Sequence, residues 1–244
     1  MFALFETLPA IHLLYISMAV LVAALLQGAT GFGYALVAAP VVMLLQPELM
    51  PAPIVISALL LTLLMSARNL PHIQWRWLGI ALISYLPGLW IGAWLLTSLP
   101  PSWVSLLFGG LTLLAVGLSW VGRYPSASHA LLLPSGVVSG IMGVTTTMNG
   151  PPLVLALQHL TVAQLRGTMG GFFFMAAIPT LFTLHEIGQL ERLPVQLGFW
   201  LMIPVSMGFL CALYLSHWFD QEKGKKVVLL LAGVSGVVIV LRSI

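Results

Sequence analysis

Long apolar segments separated by short polar stretches make up most of the chain. Six of these segments run without an internal break, at about residues 52–67, 76–97, 102–121, 167–185, 195–216 and 227–241. A helix needs roughly 20 apolar residues to cross the hydrocarbon core of a bilayer, and tilt or snorkelling end residues accommodate small differences in length. The pattern therefore predicts that each of these segments is an ordinary membrane-spanning helix.

Two further apolar stretches are too long or too irregular for one straight helix. Residues 10–46 are interrupted by Gln27-Gly-Ala-Thr-Gly-Phe-Gly33, and residues 130–160 are interrupted by Gly143-Val-Thr-Thr-Thr-Met-Asn-Gly-Pro-Pro152. In hydrocarbon, a broken backbone persists only where protein or a polar cavity satisfies its N–H and C=O groups. The two interruptions therefore predict a cavity inside the protein.

The composition excludes a soluble globular protein. Of the 244 residues, 60% are hydrophobic and only 6% are charged, whereas an ordinary soluble domain has about 25% charged residues. We therefore expect an all-α polytopic membrane protein with no separate soluble domain. The net charge of +3 comes with only one small basic cluster, at Lys223, Lys225 and Lys226, beside two acidic residues. Such a cluster favours a juxtamembrane patch over a nucleic-acid partner.

Residues that could carry catalysis or bind a metal are not grouped along the chain. The six histidines show no metal-binding spacing, and the single cysteine, Cys211, lies within an apolar segment. No nucleophile, base and orienting group recur together in one segment. We therefore expect a protein that is not an enzyme and that has no cofactor and no metal site.

The two interrupted stretches align with each other without a gap. At an offset of 112 positions, Gly28, Gly31, Pro40 and Gln46 match Gly140, Gly143, Pro152 and Gln158. We interpret this match as an internal repeat, in which residues 1–122 correspond to residues 129–244 within one membrane domain. Each half then contains one interrupted stretch, 10–46 or 130–160, followed by three ordinary helices.

The basic residues distinguish two topologies for the interrupted stretches. If each stretch crosses once, the nine Lys and Arg residues divide five to four between the two sides. If each folds back as a hairpin, Arg192 and Arg242 lie outside and seven share the other side: Arg68, Arg76, Arg123, Arg166, Lys223, Lys225 and Lys226. Cytoplasmic loops are enriched in Lys and Arg, so we predict hairpins. Three crossings per half is an odd number, so the two halves are expected to be inverted, as in many secondary transporters.

Side chains around the two breaks are the candidate binding residues. Hydroxyl and amide donors, glycines that allow close approach, and a returning helix that begins at Pro151 or Pro152 would together suit an oxyanion. The alternative is that these glycines serve only helix packing and these threonines bond only to their own backbone. The predicted substrate-binding residues are Gln27, Gly28, Thr30, Gly31, Gly33, Tyr34, Gly143, Thr145, Thr146, Thr147, Asn149, Gly150 and Arg166.

These residues resemble those of the TauE/SafE family, the sulfite exporters and 4-toluene sulfonate uptake permeases. The resemblance rests on Gln27-Gly-Ala-Thr-Gly-Phe-Gly-Tyr-Ala-Leu-Val-Ala-Ala-Pro40, on Ser139-Gly-Ile-Met-Gly143 with Pro152, and on Pro87, Gly88 and Gly92. It implies transport of sulfur-containing anions such as sulfite, sulfonates or sulfoacetate across a bacterial inner membrane. Many members carry three glycines where this chain has Thr145 to Thr147, which leaves the anion open.

The sequence therefore predicts a multi-pass secondary transporter of the cell inner membrane, working by alternating access on a small sulfur-containing oxyanion. Its expected partners are that anion and the lipid bilayer, and a homodimer is compatible with the sequence. The main alternative is a passive channel for a small neutral solute, because paired half-helices that meet at Asn and Pro also form such pores. A membrane scaffold without transport activity is a third hypothesis.

Overall fold

The computed structural model describes residues 8–121, 129–215 and 221–243, and this part of the chain forms ten α-helices and no strand. The helices are α1 (Ala10–Thr30), α2 (Tyr34–Leu45), α3 (Ala52–Arg68), α4 (Trp75–Ser98), α5 (Pro101–Val121), α6 (His129–Thr146), α7 (Gly150–Ala156), α8 (Val162–Glu186), α9 (Arg192–Leu215) and α10 (Gln221–Ser243). Parts of the predicted repeats, at residues 1–7 and 122–128 with Arg123, lie outside the described residues, as do the side chains of Lys223 and Lys225.

Each of the six uninterrupted apolar segments forms a helix, as the sequence pattern predicted. These helices are α3, α4, α5, α8, α9 and α10. Helix α8 begins at Val162 rather than near residue 167. The cause is a capping box before the apolar segment: the Thr161 hydroxyl accepts from the Gln164 N–H, and the Gln164 side chain accepts from the Thr161 N–H. These bonds satisfy N–H groups that the first helical turn otherwise leaves unpaired.

The first interrupted stretch folds back on itself. Between α1 and α2, Gly31 and Gly33 have φ values of 96° and 111°, in the left-handed region that glycine enters without steric cost. At the other end of the two arms, Gln46 Nε2 lies 2.9 Å from His12 Nδ1. The end of α2 therefore lies beside the beginning of α1, and the break is the tip of a helical hairpin.

The second interrupted stretch also breaks at its predicted position. Helix α6 ends at Thr146, and α7 begins at Gly150 with proline in its first turn, where the missing proline N–H is no loss. After α7, the His159 ring packs edge-on against Trp77, with ring centroids 5.0 Å apart. Since Trp77 lies in the first turn of α4, the chain has returned to the end of the molecule at which α4 begins.

Two helix pairs pack in parallel through glycines. Gly28 of α1 lies against Ala212 of α9, and Gly208 of α9 lies against Ala24 of α1, so residue numbers increase together along the pair. The pair α4 and α6 repeats this arrangement, with Gly88 against Val137 and Gly136 against Ser84. Small residues let the backbones approach closely, which is the usual basis of helix association in membranes.

Two other pairs pack in antiparallel orientation. Gly170 of α8 lies against Met65 of α3, and Gly167 lies against Asn69, so residue numbers run in opposite directions. The pair α5 and α10 is also antiparallel, with Gly109 against Val240 and Gly236 against Leu113. Exchanging α1 with α6, α3 with α8, α4 with α9 and α5 with α10 therefore maps these helix contacts onto one another.

The outer surface of the bundle is apolar. In the part of the chain that the structure describes, five helices are long and apolar enough to cross a membrane: Ala10–Thr30, Trp75–Ser98, Pro101–Trp120, Val162–Glu186 and Arg192–Tyr214. On α4, Trp90 is 78% exposed and Ile83 is 71% exposed. Large exposed apolar surfaces are unusual for soluble proteins, so this fold is that of a multi-pass membrane protein.

Candidate functional site

The two breaks line one cavity. Its volume is about 60 Å³, which is room for about four water molecules at roughly 15 Å³ of probe volume each. Helices α3 and α8 complete its wall. Its lining residues are Gln27, Phe32, Gly33, Tyr34, Ala35, Leu36, Ile54, Val55, Ala58, Thr62, Gly143, Thr147, Met148, Asn149, Gly150, Pro151, Phe173, Ala177 and Thr180. We call this space the central cavity.

Gln27 bridges the first break. Its Oε1 accepts a hydrogen bond from the Tyr34 N–H at 2.8 Å, although the residue itself belongs to α1. Its Nε2 lies 3.7 Å from the sulfur of Met65, and a thioether is a weak acceptor. The amide therefore stabilises the start of α2 and keeps donor capacity for a ligand in the central cavity.

The second break contributes an amide and a strained threonine. Thr147 has a φ of 63°, which is uncommon for a β-branched residue, and its hydroxyl donates to the Thr146 carbonyl at 2.6 Å. Asn149 precedes α7, is half-buried and lines the central cavity. Its side chain also interacts with the Tyr85 hydroxyl. One side-chain amide from each break thus lines the same cavity.

Two buried tyrosines hold the cavity wall in place. The Tyr34 hydroxyl lies 2.6 Å from Ser57 Oγ, and the Tyr85 hydroxyl lies 2.7 Å from Thr180 Oγ1. Ser57 and Thr180 in turn donate to backbone carbonyls of their own helices. Because a hydroxyl has one proton, each tyrosine is the donor to its partner. The tyrosine hydroxyls are therefore structural groups, and neither donates its proton to a bound ligand in this arrangement.

Part of the wall is absent from the sequence-based prediction. Tyr85 contacts Gly143, where a Cβ atom would lie 2.2 Å from the tyrosine hydroxyl oxygen, and Thr62 and Thr180 line the cavity directly. These residues belong to α3, α4 and α8, and they are distant in sequence from either break. The one feature of the sequence that could have indicated them is that they are polar residues inside otherwise apolar segments.

Seven of the predicted binding residues line the central cavity: Gln27, Gly33, Tyr34, Gly143, Thr147, Asn149 and Gly150. The other six have different neighbours. Gly28 packs against Ala212 and Phe209. The remaining five are Thr30, Gly31, Thr145, Thr146 and Arg166, and they are held by the contacts described next.

Three of the predicted binding residues outside the cavity are threonines, and their hydroxyls bond to backbone carbonyls. Thr30 Oγ1 lies 2.8 Å from the Leu26 carbonyl and 2.7 Å from the Phe32 carbonyl. Thr145 and Thr146 donate to the carbonyls four residues earlier, at 2.6 Å and 2.8 Å. Such bonds are common for threonine in apolar helices. In this conformation these hydroxyls stabilise the tips of the hairpins.

Arg166 fastens α8 to the first hairpin. Its Nη2 donates to the carbonyl of Ala29, at the end of α1, while its Nε is buried without a hydrogen-bond partner. A Cβ atom at Gly31 would lie 2.7 Å from Arg166 Cγ, so Gly31 makes room for this side chain. A cation beside carbonyls at a helix C-terminus is electrostatically favourable.

The central cavity is lined mostly by apolar residues, with a few polar side chains among them and no charged one. None of its lining residues is Asp, Glu, Lys or Arg, and its free donors are amide N–H groups. Among the described residues, no three His, Cys, Asp or Glu side chains are grouped to hold a metal ion. The arrangement can hydrogen-bond a small solute from two sides, using one group from each hairpin.

Comparison with known proteins identifies the family of this chain. No curated protein and no solved structure matches the chain. The family model described as sulfite exporter TauE/SafE matches residues 16–239, which is nearly the whole chain and includes both breaks. The match agrees with the resemblance seen in the sequence, and the chain therefore belongs to the TauE/SafE family of membrane transporters for sulfur compounds.

Proposed function

We propose that this protein is a secondary transporter that moves a small sulfur-containing oxyanion by alternating access around the central cavity. The observation that carries the proposal is that Gln27 and Asn149, 122 positions apart in sequence (149 − 27), line the same small cavity. The two tips supply hydrogen-bond donors to one ligand, so movement of one hairpin relative to the other changes the side from which that ligand is reached.

The size and chemistry of the cavity favour a compact anion. A volume of about 60 Å³ accommodates sulfite or a similarly small oxyanion, whereas an aromatic sulfonate requires a wider conformation. The cost of removing an ion from water rises steeply with its charge, and the cavity offers amide donors but no cationic side chain. We therefore expect a monoanion to bind in preference to a dianion.

The helix packing supports an inverted repeat. In the repeat proposed from sequence, α3 corresponds to α8, and α5 corresponds to α10. Corresponding helices that lie antiparallel, as both pairs do, are what inversion requires. If each interrupted stretch crossed the membrane once, both pairs would run parallel. We accordingly propose two inverted repeats whose hairpins re-enter, in a protein of the bacterial inner membrane.

A passive channel is the second candidate, because a cavity without charged side chains also suits a neutral solute. Counterflow distinguishes the two. Proteoliposomes loaded with unlabelled sulfite should transiently accumulate labelled sulfite above its external concentration, which a transporter permits and a channel does not. Equilibration without overshoot would favour a channel.

Ligand choice should be tested on purified protein before transport. Sulfite, thiosulfate, short sulfonates and carboxylates are compared by the rise in melting temperature that each causes, since a ligand that binds the native state stabilises it. We expect small sulfur oxyanions to stabilise the protein most. Equal stabilisation by carboxylates and no transport of any sulfur anion would overturn the proposed function.

A further inference from the structure

A second cavity adjoins the central cavity. Its volume is about 110 Å³, and its lining residues come from the first break, from the end of α5 and from α7 and the residues after it. Phe32 and Pro151 line both cavities. One side chain from each hairpin tip therefore stands between the two spaces.

The second cavity offers two polar groups, from Ser119 and Gln158, within a mostly apolar lining. The Ser119 hydroxyl lines it and is buried without a hydrogen-bond partner, whereas buried polar atoms in proteins are generally paired. Gln158 adds an amide to the same wall, and no charged side chain lines the space. A small oxyanion could be hydrogen-bonded there without being held tightly.

The cavity lies towards one end of the molecule. Leu118 and Ser119 belong to the last turn of α5, and Gln158 directly precedes His159. The His159 ring packs on Trp77 in the first turn of α4. This is the cytoplasmic end in the topology proposed above, so the second cavity lies between that end and the central cavity.

Glycines on both sides of Phe32 make this backbone conformationally permissive. Gly31 and Gly33 flank it and both have positive φ values, so no Cβ atom restricts the backbone on either side. The Thr30 hydroxyl lies 2.7 Å from the Phe32 carbonyl and 2.8 Å from the Leu26 carbonyl. The Phe32 ring is therefore carried between two flexible glycines, and the Thr30 hydroxyl links the Phe32 backbone to the end of α1.

We infer that the second cavity is an access chamber through which the same small oxyanion reaches the central cavity from the cytoplasmic end, and that the Phe32 ring is the barrier between them. This inference rests on the proposed transport function. Swinging of the ring on Gly31 and Gly33 opens the passage, and the Thr30 hydroxyl positions the ring in its closed place.

The test measures access to the central cavity without requiring transport. In a Cys211→Ser background, Ala58→Cys places a thiol on the central cavity wall, and its modification by an anionic, membrane-impermeant methanethiosulfonate is timed in inside-out vesicles. Phe32→Ala should accelerate modification from the cytoplasmic side at least about tenfold, equivalent to lowering the barrier by about 1.4 kcal/mol. The matched control is Phe173→Ala, which removes a ring from the central cavity alone.

Equal rates for the two alanine variants, or acceleration only from the opposite side, would overturn the inference. Ser119→Trp, which fills the second cavity, should slow modification and covers the case in which Phe32→Ala does not fold. Thr30→Val should accelerate it, and Thr30→Ser should not. Sulfite binding by the background protein is measured separately, so a failure to bind contradicts the proposed function while the modification rates still decide the access route.

Discussion

The Oε1 atom of Gln27 accepts a hydrogen bond from the backbone N–H of Tyr34 at 2.8 Å, across the break between α1 and α2. A backbone N–H can only donate, so this bond fixes which way the amide points. The NH₂ group is then turned away from the backbone of the break, and it lies 3.7 Å from the Met65 sulfur. One side chain thus closes the hairpin tip and supplies a donor to the central cavity.

Gln27→Glu should make anion binding dependent on pH. A protonated glutamic acid keeps both an acceptor for Tyr34 and a donor, whereas an ionised carboxylate repels the ligand and donates nothing. Affinity for a short sulfonate, which stays ionised throughout, should therefore fall at least about tenfold as pH rises and the carboxyl group ionises. Titration calorimetry across pH checks this. Gln46→Glu, outside the cavity, is the matched control and should bind as the parent does.

The positions of the helices and breaks were predictable because local composition determines them. An uninterrupted apolar segment in lipid satisfies its backbone only as a helix. Gly31 and Gly33 mark the first break, and the prolines after Gly150 mark the start of a new helix after the second. The predicted segments at 52–67 and 76–97 accordingly agree with α3 and α4 to within a residue at each end.

The cavity wall was predictable only near the breaks. Tyr85 and Thr180 are separated by 95 positions, and tertiary packing alone brings them together. The direction of a side chain on its helix was also not determined by the sequence pattern. Thr30 and Thr146 lie beside breaks but bond to backbone carbonyls, because a threonine on a helix can reach the carbonyl one turn earlier.

Gln27 and Asn149 should be energetically coupled in binding. If both amides donate to one anion, removing either costs roughly 1.5–3 kcal/mol of binding energy, and the two effects are not independent. A double-mutant cycle of Gln27→Met and Asn149→Ala should show a coupling energy of at least about 0.5 kcal/mol. A cycle of Gln27→Met with Thr145→Val, whose hydroxyl bonds to Ile141, should be additive. Additivity in both cycles would mean that the breaks serve separate functions.

Arg166 should matter for stability more than for affinity. Its guanidinium bonds to the end of α1 and does not line the central cavity. Arg166→Ala should therefore lower the melting temperature while leaving the dissociation constant for the anion within about a factor of two to three, the usual variation of a remote change. Arg192→Ala, at an exposed position, is the control for loss of a charge. Loss of binding by Arg166→Ala at unchanged stability would show that the arginine contacts the substrate.

Gly88→Ala should destabilise the bundle, whereas Gly79→Ala on the same helix should not. A Cβ atom at Gly88 would lie 1.9 Å from the Val137 carbonyl oxygen, whereas at Gly79 nothing lies within 4 Å. Overpacking of this kind costs roughly 1–3 kcal/mol, and alanine in an open helical position is favourable by up to about 1 kcal/mol relative to glycine. Thermal unfolding in detergent compares the two variants. Equal melting temperatures would contradict the close parallel packing of α4 and α6.

Glu48 and Glu191 should lie on the same side of the membrane. Glu48 follows the first hairpin and Glu191 lies between α8 and α9, and both are exposed. Between these positions lie α3, α4, α5 and α8 and the second interrupted stretch. If the second stretch returns to its own side, an even number of crossings separates the two positions. If it crosses once, that number is odd. In a Cys211→Ser background, thiols introduced by Glu48→Cys and Glu191→Cys should react with an impermeant reagent only in right-side-out vesicles, and Arg68→Cys only in inside-out ones. Reaction of the first two thiols from opposite sides would contradict the hairpin topology, and with it the inverted repeat that alternating access requires here.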